Sequence, residues 1–364
     1  MDFRKTVISL ALFLGATTHA VATQGYAKQR DRPDRPNQVK YLHPPHPIHP
    51  TQPTHPNKPN KPNKPPVKGG TLAPIPTTYQ DFSGVLHNLY AWEGTYATLL
   101  SRRNDLSPAV MATILNVTDR VYLFYRNSTG YTPQLAKHFN GKTTIADVPA
   151  TCGAGCAYLG ATGIELLSDY FDLLYNGVAT NNVFDHVVFY EFGRNFWNLS
   201  PQLAYQAPDS PDAIITGFAV FMRYLAMEAT DIQGMNINGW TFADFRARVE
   251  AMIELYLADP TQTWENTLRM NTPQANNPSN LGATDLFASF LFRLRRDYGG
   301  DAFIERLWHE AAMRPAANTT QEAVDNFFLA ASTAANRNLT TLFTTTWRWP
   351  ISQAAQDGAK AYPN

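Results

Sequence analysis

Residues His186 to Trp197 read HVVFYEFGRNFW. The apolar side chains recur at helical spacing, which predicts an apolar helix over Phe184–Trp197. Tyr190, Glu191 and Arg194 carry its polar chemistry. Tyr190 and Arg194 stand at i,i+4 and Glu191 and Arg194 at i,i+3, so each pair shares a helix face. Read by itself, the second spacing is that of an ion pair on a buried helix. His186 lies one turn before Tyr190, but Glu191 points about 140° away from it, five steps of about 100° around the helix. A metal site built on His186 and Glu191 is therefore disfavoured.

Tyr190-Glu191-Phe192-Gly193-Arg194 resembles the His-Glu-x-x-His helix of zinc peptidases. In that motif two imidazoles four residues apart bind one zinc, and the Glu between them is the general base. Glu191 stands in the base position, while Tyr190 and Arg194 stand where the two His would be. Thr216-Gly217-Phe218-Ala219 resembles the Glu-Gly-x-Ala segment of the gluzincin branch, whose Glu is the third ligand. Thr216 takes that place, with 21 residues between it and Arg194, and no Glu occurs from Asn195 to Met227. Arg has no lone pair to give a metal, and neutral Tyr is a poor zinc ligand. The glycine-interrupted stretch Ala157–Leu167, AYLGATGIELL, resembles the edge strand that lines the substrate cleft of zincins. The order from about residue 80 to 350 thus resembles a secreted gluzincin-type metallopeptidase domain with all three zinc-ligand positions replaced. The resemblance implies a zincin-like α+β fold with no zinc and no other cofactor. It makes Glu191 and Tyr190 the candidate catalytic residues, and Arg194, Thr216, Tyr158 and Asn195 candidate binding residues.

The flanking sequence is consistent with α+β. Ser107-Pro108 is an N-cap followed by Pro at the first helical position, and Gly130 closes that helix. Lys142–Val148 reads as a strand. Further helices are predicted from Ser210-Pro211 to about Glu228, from Thr241 through Leu257, and over Asp285–Tyr298 before Gly299-Gly300. Three more fit Asp301–Met313, Gln321–Ser332 and Leu339–Trp347. The expected order is a helical lead-in, a short mixed sheet, a central helix and a mainly helical C-terminal half, without βαβ alternation.

The N-terminal part differs in kind. Arg4 and Lys5 precede the apolar run Val7–Ala16, which is too short to cross a hydrocarbon core of about 30 Å. With Ala20 and Ala22 following, residues 1–22 read as a signal peptide. Residues 23–70 hold 12 of the 26 prolines, four His and nine Lys or Arg against two acidic residues. Proline at every third position favours polyproline II, so this segment reads as a disordered, cationic Pro/His/Lys-rich arm. From residue 71 onward the balance is 19 basic against 27 acidic, which excludes a general nucleic-acid surface. No stretch is long and apolar enough to be a transmembrane segment.

The two cysteines, Cys152 and Cys156, lie in Cys-Gly-Ala-Gly-Cys. An exported chain with two close Cys most simply forms one disulfide, and two are too few for a Cys-rich zinc module. The reading that follows is a secreted, catalytically degenerate metallopeptidase-like protein. It would act outside the cell as a binding or scaffold module on a polymer or protein surface, peptide or glycan. One alternative is a metal-independent peptidase or glycosidase using Glu191 and Tyr190. Another is a matrix or cell-surface protein whose Pro-rich arm is the functional element.

Overall fold

A computed structural model describes residues 72–274 and 277–364. The expected signal peptide and Pro-rich arm lie outside the described residues.

The chain enters as three antiparallel strands, β1 (Ile75–Gln80), β2 (Leu86–Glu93) and β3 (Ala97–Ser101). This corrects the helical lead-in. The β1–β2 turn is set by Asp81, whose Oδ1 accepts from the Ser83 and Val85 amides at 2.9 and 2.8 Å. Helix α1 (Pro108–Thr129) begins after Ser107 and ends on Gly130 at φ 66°, as its capping residues predict. Its buried Asp119 takes the Thr95, Tyr96 and Ala97 amides at 2.6, 2.7 and 3.0 Å and so ties the β2–β3 turn to the helix. The two-residue strand β4 (His138–Phe139) leads into β5 (Lys142–Val148), which runs parallel to β3. β3–α1–β5 is therefore a parallel crossover, contrary to the expected lack of βαβ alternation.

The stretch predicted as one strand over Ala157–Leu167 is a hairpin. β6 (Gly155–Ala157) runs antiparallel to β7 (Ile164–Leu167), and β7 is parallel to β5. The turn between them uses Gly160 and Gly163 at φ 71° and 120°, backbone that non-glycine residues rarely adopt. The sheet order is β1-β2-β3-β5-β7-β6, with β4 paired to β5. Central β3 and β5 are buried along almost their whole length, as inner strands covered on both faces are.

Helix α2 (Ser168–Asn181) and the short strand β8 (Val183–Phe184) lead to α3 (Val187–Asn195), the helix of the opening sequence. A one-turn α4 (Ser200–Leu203) precedes α5 (Asp212–Ala229), which is enclosed along nearly its whole length. Phe218, Phe221 and Met222 there are fully buried, and each contributes about 1.5–3 kcal/mol by leaving water. β9 (Gln233–Gly234) pairs with β8.

The predicted helix from Thr241 divides into α6 (Phe242–Glu250) and α7 (Met252–Ala258). The cause is Ser289, whose hydroxyl accepts from the Ile253 amide and donates to the Glu250 carbonyl, both at 2.8 Å. Ser289 belongs to α8 (Ala283–Tyr298), which packs along α5. The chain closes with α9 (Asp301–Ala312), α10 (Thr320–Ala335), a π-helical turn at Leu342–Thr346 where a helix over Leu339–Trp347 is predicted, and α11 (Gln353–Ala359). One large apolar cluster joins the inner face of the sheet to the helices. A smaller one of Tyr79, Leu89, Ala91, Leu100, Ala146 and Val148 covers the outer face. The architecture is α+β, with a mixed sheet, the α3 helix beneath its edge strand and a mainly helical second half.

Candidate functional site

α3 is pinned from three sides. The Tyr125 hydroxyl of α1 donates to the Phe189 carbonyl at 2.8 Å. At the other end the buried Asn195 amide donates to the carbonyls of Tyr158 and Gly163, each at 3.1 Å. These bonds fasten the helix to the β6–β7 turn. On the third side Gly193 faces α5, where a Cβ would stand 2.8 Å from the Ala219 Cα. Only glycine permits the two backbones to come this close.

That approach sets the polar centre. Arg194 Nη1 donates to the Tyr190 hydroxyl and to the Thr216 hydroxyl of α5, each at 3.3 Å. The three residues expected at ligand positions from the motif resemblance therefore meet, with the guanidinium between two hydroxyls. All three are partly exposed. Burial opposes the Arg194 charge, but neighbouring Tyr190, Glu191 and Asp212 outweigh it and hold its pKa above the ordinary value.

Glu191 sits deeper, 3% exposed, beneath edge strand β6. A Cβ on Gly155 would stand 2.9 Å from the Glu191 Cγ and 2.8 Å from Val187 Cγ1, so the strand lies directly on the carboxyl. The spacing of Cys-Gly-Ala-Gly-Cys carries no signal of this contact, which depends on α3 packing beneath the strand. Oε2 of Glu191 is enclosed and has no hydrogen-bond partner. Burial raises its pKa to about 7, with Arg194 pulling the other way. Glu191 and Arg194 do not form the ion pair that their spacing offers, because the guanidinium turns toward Thr216.

His186 is turned away from this centre. Its Nδ1 lies 3.2 Å from Arg223 Nη1, and burial together with the Arg223 charge pushes its pKa well below the usual value. The neutral ring thus serves as an acceptor for a buried cation. Cys152 and Cys156 are bridged, with Cα atoms 5.5 Å apart, and so clamp the loop entering β6. Tyr158 is 37% exposed beside the site, its ring 4.4 Å from that of Phe82. Trp92, Phe196, Trp197 and Trp264 are core, while Trp240 is exposed under the Arg248 guanidinium.

Zinc would need good donors at this centre: a guanidinium has no lone pair to give, and two neutral hydroxyls are poor zinc ligands. Among the described residues no group of three or more His, Cys, Asp or Glu side chains is placed to hold a metal ion. The side chains present do not fit zinc. No helix among the described residues is long and apolar enough to cross a membrane.

No family model matches the chain, and no curated protein matches it. Solved structures do. The chain is similar to a functionally unknown conserved protein from Bacillus anthracis str. Ames, at 12% identity and a TM-score of 0.51, over 76% of this chain and 52% of that one. It is also similar to the ZmpB metallopeptidase from Clostridium perfringens, at 13% identity and a TM-score of 0.48, over 78% and 50%. A third is the M60 catalytic domain of Clostridium perfringens ZmpC in complex with the sialyl T antigen, at 13% identity and a TM-score of 0.47, over 76% and 49%. The chain spans about half the length of these solved chains. At such identities the likeness is one of fold. The α+β class expected from the sequence, with a mixed sheet and a mainly helical C-terminal half, is the one observed.

Proposed function

We propose that this chain is a metallopeptidase-like module in which Tyr190, Arg194 and Thr216 replace the three zinc ligands. It works outside the cell by binding peptide or glycan rather than by cutting it. The observation that carries the reading is the Arg194 guanidinium bonded at 3.3 Å to both Tyr190 and Thr216. A permanent cation stands where a bound cation would, so the electrostatic balance of the fold is kept while Lewis-acid chemistry is lost. Secretion and surface tethering by the arm belong to the same proposal and rest on residues 1–70.

The test is elemental analysis of the purified full chain after mild dialysis, followed by peptidase assays with and without chelator. Zinc well below one atom per chain and no chelator-sensitive proteolysis are expected. One zinc per chain with proteolysis abolished by Glu191→Gln would overturn the reading. For ligand screening, O-glycopeptides bearing the Tn and sialyl T antigens are suitable probes, since two of the matched metallopeptidase structures hold them.

A second reading rests on Glu191 itself. A buried carboxyl with a pKa near 7 and an unpartnered oxygen has the properties of a general acid or base. In that case the chain is a metal-independent hydrolase, with Tyr190 beside the acid. Turnover that persists in chelator and disappears in Glu191→Gln would support it, and a blank across peptide and glycan substrates would remove it.

A further inference from the structure

The donors of Arg194 are only partly used. Nη1 makes both of its hydrogen bonds, while Nε and Nη2 have no partner among the described residues. Among the described residues no carboxylate lies within ion-pair distance of this guanidinium. Other arginines here are neutralised in place: Arg102 by Asp147, Arg269 by Asp209 and Arg295 by Asp301. The partly exposed Arg194 charge therefore has no carboxylate in direct contact, and an arriving anion would meet unused N–H donors. The free pair Nε and Nη2 forms one side of the planar fork, the geometry that takes a carboxylate through two parallel N–H···O bonds.

The surroundings suit such a ligand. The two hydroxyls on Nη1 fix the guanidinium in one orientation, so little freedom is lost on binding. The nearest negative groups are Glu191, one turn earlier, and Asp212, at the start of α5, and neither is in contact. Glu191 is enclosed beneath β6, and burial favours its neutral form. The Tyr125 hydroxyl, the titratable group that faces Glu191 from α1, is neutral and donates to a backbone carbonyl. β6 ends the sheet, with its outer edge unpaired by any strand among the described residues, and the Gly160 amide of the following turn bonds the Arg194 carbonyl at 3.1 Å. An extended backbone reaching Arg194 thus passes a sheet edge that can pair with it.

We infer that Arg194 is the receptor for a peptide chain's terminal carboxylate, gripped side-on by Nε and Nη2 while Tyr190 and Thr216 hold the guanidinium in place. This rests on the zinc-free reading above and specifies its ligand.

The test uses the full chain and an array of random hexapeptides, each displayed both with a free C-terminal carboxylate and as the amide, without and with chelator. At least tenfold stronger binding to the free-acid forms is expected. Arg194→Met should lose that preference. Arg194→Lys, which keeps the charge but not the fork, should lose most of it, with melting curves confirming that both variants fold. The acid-against-amide comparison on the unaltered chain stands even if both variants unfold. Equal binding to acid and amide forms, no binding to either, or capture only of sialic-acid glycans added in parallel would overturn the inference. If the chain is also zinc-free, those outcomes leave the zinc-free reading standing. Acid-selective binding that vanishes when chelator is added would assign the carboxylate to a bound metal and overturn both.

Discussion

The Arg194 guanidinium and the Thr216 hydroxyl meet at 3.3 Å although they stand 22 positions apart in the chain. The contact exists because Gly193 lets α3 rest against Ala219 of α5, and because Gly217 lets α5 rest against α8. A Cβ at Gly217 would stand 2.8 Å from the Thr284 carbonyl oxygen. Two glycines with no polar function therefore position a polar centre.

Removing either hydroxyl should weaken the fold modestly. Tyr190→Phe and Thr216→Val each delete one partly exposed hydrogen bond, and each should cost about 0.5–1.5 kcal/mol. Because both act on one guanidinium, the double variant should not equal the sum of the singles. Denaturant midpoints of the two singles and the double, at constant slope, check this. Strict additivity would mean that Arg194 does not couple them.

Glu191 should make stability fall as pH rises through the weakly acidic range. Its carboxyl is held at about 7 in the folded chain against an ordinary 4.5. The folded state then binds more protons than the unfolded one between those values. The contribution is fully present below pH 4.5 and is lost as pH rises through 7, with an upper bound of about 3 kcal/mol. Asp185, held at about 6 by burial, slopes in the same direction. The diagnostic is therefore the difference between the unaltered chain and Glu191→Gln, whose stability profile from pH 4 to 8 should be flatter. Parallel profiles would show that Glu191 titrates normally.

Gly155→Ala should displace β6. The new methyl would meet Glu191 and Val187 within 2.9 Å, and overpacking of this kind costs about 1–3 kcal/mol. Gly153→Ala is the control, since its nearest atom would be 3.6 Å away. Hydrogen exchange at the β6 and β7 amides should accelerate in the first variant and not in the second.

Loss of the Cys152–Cys156 bridge should be tolerated by the body of the protein. The closed loop spans a sequence separation of only 4, for which the chain-entropy contribution is about 2 kcal/mol. Cys152→Ser with Cys156→Ser should lower the melting temperature slightly and leave the helical circular dichroism signal intact. Global unfolding at room temperature would show that the clamp is essential to the sheet.

Local signals in the chain were enough for its local features. Ser107-Pro108 and Gly130 bound α1 because caps act within one turn, and Gly299-Gly300 ends α8 for the same reason. Cys-Gly-Ala-Gly-Cys could close on itself, and it does. Tyr190, Glu191, Arg194 and Thr216 were legible as candidate site residues because residue type and spacing are written in the sequence. What depended on distant partners was not legible. β1–β3 took shape from pairing with one another and from Asp119, a residue of the following helix. The break between α6 and α7 came from Ser289 of α8, more than 30 positions away. The direction of the Arg194 side chain, toward Thr216 and away from Glu191, was decided by how closely α3 and α5 approach. Spacing places side chains on a face of their own helix, and only packing between helices determines what that face meets.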